Sequence, residues 1–398
     1  MKHSKLMKSI KKKNHVWIVA LTLAVLAVSG VTFGQVQSDD ASDVFLARDI
    51  LPTGVMEGTN YRIASTVSVE AYQYVFMVES TFGQLTAKGR DVLNLRLREL
   101  KSIEAAKKLS KDPHLVNGIL EPLENTAKGV ELIISEPLET LGRVPKGFKL
   151  MLRRFLDPAD KRAGSLERRK LATELDCDPE TRNPVLKKLL DDMSLQYGGG
   201  GLMTKVAMSF IPGLSLLPTT AEMKETIANN PPSVINGQIN KTLEAAGIAQ
   251  SVRSRFCKSK GFTTVQRLLL MYQYRALTGV SGREALIEAA TYAETESEAL
   301  AMIRAGKMIV DLGQRKTIRE LRFVGLPMAV LGDGTHVIIC PYDYITNTEE
   351  LIQGANAYRT SNPEVKTLLI TTGDASAAAR RTLKAVRVEI VAQSIVNQ

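Results

Sequence analysis

Hydrophobic positions along this chain change their spacing several times, and each change predicts a different element. In residues 60–87, NYRIASTVSVEAYQYVFMVESTFGQLTA, apolar and polar side chains alternate, and β-branched and aromatic residues are frequent. That period of two predicts an antiparallel meander with strands near 60–68, 71–79 and 83–87. From Arg90 the spacing becomes helical, with Leu93, Leu97, Leu100 and Ile103 on one stripe, so one helix is expected to cover the small sheet. Pro122, Pro137 and Pro145 then cut a good helix former into short pieces, because proline is tolerated in a first helical turn and breaks a helix interior. LERRKLATEL predicts a helix, CDPETRNP a loop, and Asn183-Pro184 the start of another helix.

Residues 233–316 read as helical throughout, with capping boxes expected at Ser281/Glu284 and Thr295/Glu298 and a small-residue stripe of Ala285, Leu286, Ala289 and Ala290. From Leu321 short strand patterns return. LPMAVL and THVIICP flank a Gly-Asp-Gly turn, and a helix, the strand VKTLLITT, a second helix and the strand VRVEIV follow. The order β-β-α-β-α-β describes a small α/β module whose last two strands run parallel through a right-handed crossover. The fold class expected is α+β and multi-domain: an N-terminal meander with its covering helix, a central helical region and a C-terminal α/β module.

Charge changes the picture at the amino end. The 398 residues carry a formal net charge of +10, and Lys2, Lys5, Lys8, Lys11, Lys12 and Lys13 supply six of those charges with no acid before Asp39. They precede the uncharged apolar run Val16 to Val31, small residues, and then the acidic QSDDASD, which is the order of a secretory signal. Cleavage is expected after Gly34 or after Ser29, and the run is short for a spanning helix, which needs roughly 20 residues. Export to the periplasm, the cell envelope or the medium follows, with membrane anchoring if the signal is retained. Removal at Gly34 leaves 46 basic against 42 acidic residues, so the basic balance is largely a property of the signal.

Export makes disulfides admissible, and of the three cysteines Cys177 and Cys257 are the expected pair, with Cys340 a buried hydrophobe; three free thiols are the alternative. Other chemistry is sparse. Only His114 and His336 lie beyond the signal, so multi-histidine metal centres and HExxH sites are absent from the sequence, and no metal or cofactor is expected. The four glycines at 198–201 do not make a phosphate loop, since Lys205 is followed by Val206; they read as a connector over 197–220. Ser281 lacks the spacing of a nucleophile elbow. Asp191 and Asp192 are adjacent on a helix and are expected to point apart.

KTLLITTGDASAAARRTLKAVRVEIV resembles the closing strand-helix-strand of the type IV restriction-endonuclease catalytic fold, where a strand ends in Thr-Thr-Gly and an Ala/Arg-rich helix follows. The resemblance covers about 30 residues and implies a nuclease-like fold, in which an acid and then an acid-x-Lys hold a metal ion that activates water. Asp333 stands where the first acid is expected, but HVIICPYDY has no lysine and places Asp343 beyond a proline. A broader resemblance is to signal-bearing exported bacterial proteins without an assigned activity, carried by NPVL at Asn183 to Leu186 and GVSGR at Gly279 to Arg283.

The densest cationic stretch lies mid-chain. Phe148, Met151, Leu152, Phe155 and Leu156 fall on one helical face, and Lys146, Lys149, Arg153 and Arg154 on the other. The window 141–170 holds ten basic residues and three acids. Arg143, Lys146, Lys149, Arg153 and Arg154 with Phe148 and Phe155 are therefore the candidate binding surface, with an anionic membrane, an envelope polymer or a protein as partner. Nucleic acid is disfavoured because no stacking aromatics interleave the charges, and no small-molecule ligand is implied. The expected organisation is a signal at 1–34, a tether at 35–58, the meander and helix at 59–112, the proline-punctuated cationic segment at 113–170, a helical domain at 171–316, and the α/β module at 317–398. The reading is an exported, non-enzymatic envelope protein. The alternatives are an enzyme, hydrolase or nuclease-like, built around Asp333, His336, Asp343 and Asp374 in the C-terminal module, and a helical interaction scaffold.

Overall fold

The computed structural model describes residues 44–109, 165–196 and 220–392. The expected signal, the surface residues Arg143, Lys146, Phe148, Lys149, Arg153, Arg154 and Phe155, and the Gly-rich connector lie outside them. Among the described residues no helix is long and apolar enough to cross a membrane. The fold is mixed α+β in three units: an antiparallel N-terminal sheet, a helical region, and a mixed C-terminal sheet.

The N-terminal sheet is built from β1 (Phe45–Leu46), helix α1 (Ala47–Ile50), β2 (Glu57–Gly58), β3 (Tyr61–Ile63), β4 (Thr66–Glu70), β5 (Gln73–Ser80) and β6 (Gly83–Lys88). β5 is central; β6 takes one edge, and β4 and β3 share the other. The strand expected at 60–68 is thus one line with a break. Ile63 faces Val78 but Ser68 faces Val75, so two extra residues bulge out, and Ser65 there accepts a hydrogen bond from the Ala47 amide at 2.8 Å. That bond, with Ala47, Leu51 and Val55 buried, packs residues 45–58 of the expected tether against the sheet, to which Phe45–Leu46 and Glu57–Gly58 contribute strands. Alternating Tyr74, Phe76 and Val78 point into the core, where α2 (Arg90–Leu109) covers them with the Leu93, Leu97, Leu100 and Ile103 stripe.

The helical region comprises α3 (Leu166–Glu174), α4 (Pro184–Gln196), α5 (Ala221–Asn229), α6 (Pro232–Ala245), α7 (Gln250–Lys258), α8 (Thr264–Ala276), α9 (Glu284–Ala290) and α10 (Glu296–Gly313). Local chemistry sets several starts. Asn183 caps α4, its Oδ1 accepting from the Val185 amide at 3.1 Å, with Pro184 in the first turn as the sequence suggests. Thr295 and Glu298 form the expected capping box of α10, and Thr263 and Gln266 form one at α8 that the sequence reading missed. The box expected at Ser281/Glu284 does not form. Gly282 takes a left-handed φ of +68°, which aims Ser281 away from the helix, and the Ser281 carbonyl accepts from the Leu321 amide at 2.8 Å.

The C-terminal sheet has the order β13-β11-β9-β8-β7, from β7 (Ile318–Phe323), β8 (Pro327–Leu331), β9 (His336–Cys340), β11 (Thr367–Thr371) and β13 (Val388–Ala392). β9, β11 and β13 are parallel, joined by crossovers through α11 (Glu349–Ser361) and α12 (Ala377–Ala385), and β8 and β7 return antiparallel. The parallel closing strands match the sequence expectation. β7 was not expected, because IRELRF carries three charges and follows a helix directly. Beyond β9 and β11 the same two segments pair again as β10 (Tyr344–Ile345) and β12 (Asp374–Ala375). Val337, Ile339 and Ile370 join a core continuous with that of the bundle and of the N-terminal sheet.

Candidate functional site

The four carboxylate and histidine candidates of the C-terminal module do not converge. Asp333 sits in the β8–β9 turn, fully exposed, and accepts from the Thr335 amide, which holds its carboxyl below the usual range. His336 begins β9 and is buried; its Nδ1 lies 2.7 Å from the Tyr358 hydroxyl, which also reaches Thr367. Burial, then the Arg322 charge, push the imidazole pKa down. Asp343 and Asp374 lie past the other end of the strands, about 13 Å away at the rise of an extended chain. Asp374 is exposed against Arg380, whereas Asp343 is 4% exposed and accepts from the Arg90 amide at 2.9 Å and the Tyr74 amide at 3.3 Å. Asp333 and His336 lie at one end of β9 and Asp343 and Asp374 beyond the other, so the quartet does not come together as one site.

Asp343 has a different task. Burial pushes its carboxyl up, and Arg90 and Arg304 oppose that shift. Arg304 also grips Asp91 with two nitrogens, so the start of α2, the middle of α10 and the end of β9 meet around two carboxylates. Nearby, Tyr72 in the β4–β5 turn bonds Thr348 through its hydroxyl, while its carbonyl accepts from the Asp343 and Tyr344 amides at 3.1 and 3.0 Å. The N-terminal sheet is thereby keyed into the C-terminal one. A second buried cluster joins α2 to α10: Arg96, with no exposed surface, pairs with Glu99 and Glu296, and Glu99 accepts from Thr181.

The expected Cys177–Cys257 bridge is not formed; all three cysteines are free. Cys177 belongs to the loop after α3, beside Glu99 and Asp178, whereas Cys257 lies on α7 beside Arg267 and Arg253, so the two thiols serve different walls. Burial drives the Cys177 thiol well up and Cys340 to about 12, which removes both as thiolate nucleophiles near neutral pH. Asp191 and Asp192 point apart as expected, one to Arg168 and the other to Lys188 at 2.6 Å. Of the ten bases counted in 141–170, Arg168 and Arg169 are buried and so are removed from any outward-facing cationic surface.

The concavity with the strongest case for a ligand lies elsewhere, where α2, the end of α3 and its following loop, α5, α8 and α10 meet. It has a volume of about 130 Å³. Its apolar lining comes from Leu95, Ile227, Val265, Leu269, Leu300 and Ile303, residues of four helices whose stripes face one another. Polar groups line it as well: Asn94, Arg98, Asp176, Asp178, Lys224 and Gln266. Lys224 pairs with Asp176 at 2.8 Å, both side chains about 40% exposed. Asp176 holds a left-handed φ of +52°, which turns the chain from α3 into the loop that carries Cys177 and Asp178.

Two features distinguish this cavity. Asn94 is 5% exposed and its Oδ1 is buried with no hydrogen-bond partner among the described residues, a deficit of about 1–3 kcal/mol that a donor entering the cavity would relieve. Asp178 accepts from the Glu180 amide at 2.7 Å and from the Thr263 hydroxyl, yet burial, reinforced by Glu180, raises its carboxyl to about 7. A group that is half protonated near neutrality can donate or accept with small cost. The site can therefore hold a compact apolar body and satisfy one or two polar groups upon it. Among the described residues no cluster of His, Cys, Asp and Glu could hold a metal ion.

No sequence pattern marks this site. Its residues span 94 to 303, and none forms a motif; the one local signal was Asn94 breaking the apolar stripe of α2 between Leu93 and Leu97. No family model matches the chain, and no curated protein or solved structure is significantly similar to it.

Proposed function

We propose that this is an exported cell-envelope protein that binds rather than transforms its ligand, and that the ligand is a small amphiphile: an apolar body near the size of benzene bearing one N–H or O–H donor. The observation that carries the reading is the buried Asn94 Oδ1, without a hydrogen-bond partner among the described residues, in a cavity of about 130 Å³ whose aliphatic lining comes from four helices. A dry apolar cavity of about 150 Å³ takes benzene-sized guests, which sets the scale. The donor is what makes the site selective, since an isostere without one leaves the acceptor unsatisfied. Export is supported by the lysine-rich start, the apolar run and the small residues before Gln35.

The test is a titration of the folded protein with phenol, benzylamine and benzene, followed by calorimetry and thermal shift. Phenol or benzylamine is expected to bind at least ten-fold more tightly than benzene, and Asn94→Ala to abolish that discrimination while benzene still binds. Equal affinity for all three in the wild type overturns the assignment. A second reading rests on the basic run Arg143 to Arg154, which would attach the folded body to an anionic surface. Failure of the full chain to co-sediment with phosphatidylglycerol vesicles at low salt would remove it.

A further inference from the structure

β13 is the last strand of the C-terminal sheet: β11 pairs with one of its edges, and among the described residues no strand pairs with the other. Its outer backbone groups form a template for another extended chain. Beside it lies an open concavity of about 370 Å³ lined by Arg380, Lys384, Arg387, Val388, Glu389 and Ile390. Lys384 and Arg387 are exposed and form no ion pair among the described residues, as does Arg381 one position further round α12. Arg380 is shared with Asp374. The rim is therefore cationic, with Glu389 the one acid lining it among the described residues.

Arg387 adds an independent observation. It follows the end of α12 with a left-handed φ of +57°, a position where glycine or asparagine is ordinary and an arginine is strained. Its side chain is nevertheless present, and it lines the concavity. Charged side chains on an edge strand also deter aggregation, and a single lysine would suffice for that. Guarding does not account for a strained arginine and a lysine converging on one hollow.

We infer that the β13 edge and the Lys384/Arg387 hollow form a docking site for an acidic peptide in extended conformation, which adds a strand beside β13 while its Asp or Glu side chains meet the cations. A small anion would use the cations and leave the strand edge unexplained; an acidic strand uses both. Binding weakens with salt, because the cations are exposed.

Fluorescence anisotropy with a labelled peptide alternating Glu and Val tests the inference on the full folded protein. The Glu/Val peptide is expected to bind, a Lys/Val peptide not to, and backbone N-methylation at alternate residues to weaken binding at least ten-fold. Arg387→Gly is the decisive variant: the fold is kept and thermal stability rises as the strain is relieved, while affinity falls several-fold, and Lys384→Glu with Arg387→Glu lowers it at least ten-fold. Hydrogen exchange should slow at amides within 388–392 when the peptide is present. The inference is overturned if the N-methylated peptide binds equally, if the charge-reversed variant binds equally, or if phosphatidylglycerol vesicles bind at this edge and the peptide does not.

Discussion

The seam where α2 and α10 meet the C-terminal sheet and the outer edge of that sheet handle charge in opposite ways. At the seam Arg96 is wholly buried against Glu99 and Glu296, and Asp343 lies between Arg90 and Arg304. At the edge the Lys384 and Arg387 side chains are exposed and form no ion pair among the described residues. Burial leaves an ion no alternative to a partner, since the loss of hydration is severalfold larger than any exposed pair can return. Charge at the seam therefore fixes how the units fit, whereas charge at the edge is free to meet something else. The opposing influences at the seam are visible in Arg96 itself: burial works against its charge, and Glu296 and Glu99 overcome that, so it binds its proton more tightly than a free arginine.

The largest expected effect comes from breaking the seam. Arg96→Met leaves Glu99 and Glu296 facing each other without their common cation, and chemical denaturation should show a loss of about 3–5 kcal/mol. The matching change at the edge, Lys384→Ala, should alter stability by no more than about 0.5 kcal/mol. Similar losses at both places would mean that exposure does not set the difference. Next in size is Gly373→Ala. A Cβ there would lie 1.8 Å from the Asp343 carbonyl oxygen, where the Asp374 amide also donates to that oxygen at 3.0 Å, so β10 and β12 must separate. A loss of about 3 kcal/mol is expected by thermal melts, with faster exchange of the Asp374 amide. The Thr-Thr-Gly run thus has a structural explanation in this chain: it lets two parallel segments approach closely.

Much of this arrangement was legible in the sequence, and the reasons divide by range. Starts and stops are local, so Pro184, the Thr295/Glu298 box and the parallel strands around VKTLLITT were readable from their neighbours. Ser281 misled because its box depends on a backbone direction that Gly282 reverses. β7 was missed because its alternation of Arg and Glu looks like a solvated helix until β8 is there to pair with it. The cavity was invisible for a stronger reason. Asn94 is an ordinary polar residue until five separate elements close around it, and no spacing records that Lys224 will reach Asp176. Candidates chosen by residue type, such as Asp333 and Asp374, proved exposed and apart.

Within the cavity, Asp178 sharpens the comparison by acting as an enclosed acid without a full counter-ion. Its folded carboxyl holds its proton up to about pH 7, while the unfolded one releases it near pH 4. The stabilising contribution of the protonated form is therefore complete below about pH 4 and is lost as pH rises through 7. Asp178→Asn removes that dependence. Thermal melts from pH 4 to 8 should show wild type falling relative to the variant as pH rises; parallel curves would mean that Asp178 titrates normally.

The remaining test lies in the β4–β5 turn, where a local strain and a contact between the two sheets fall on neighbouring residues. Ala71 and Tyr72 carry φ of 46° and 66°, the pattern of a type I′ turn in which asparagine and glycine are at home. Ala71 is exposed, so Ala71→Asn keeps every contact and relieves local strain; a gain of roughly 1 kcal/mol is expected. Tyr72→Gly relieves the same kind of strain but deletes a buried ring that packs 6.1 Å from Tyr342 and bonds Thr348. If the turn is held in place by its seat in the C-terminal sheet, that second variant loses stability by roughly 3 kcal/mol despite the easier backbone. A gain from both would make the turn a local feature of the hairpin and leave Asp343 and Arg304 to hold the two sheets together.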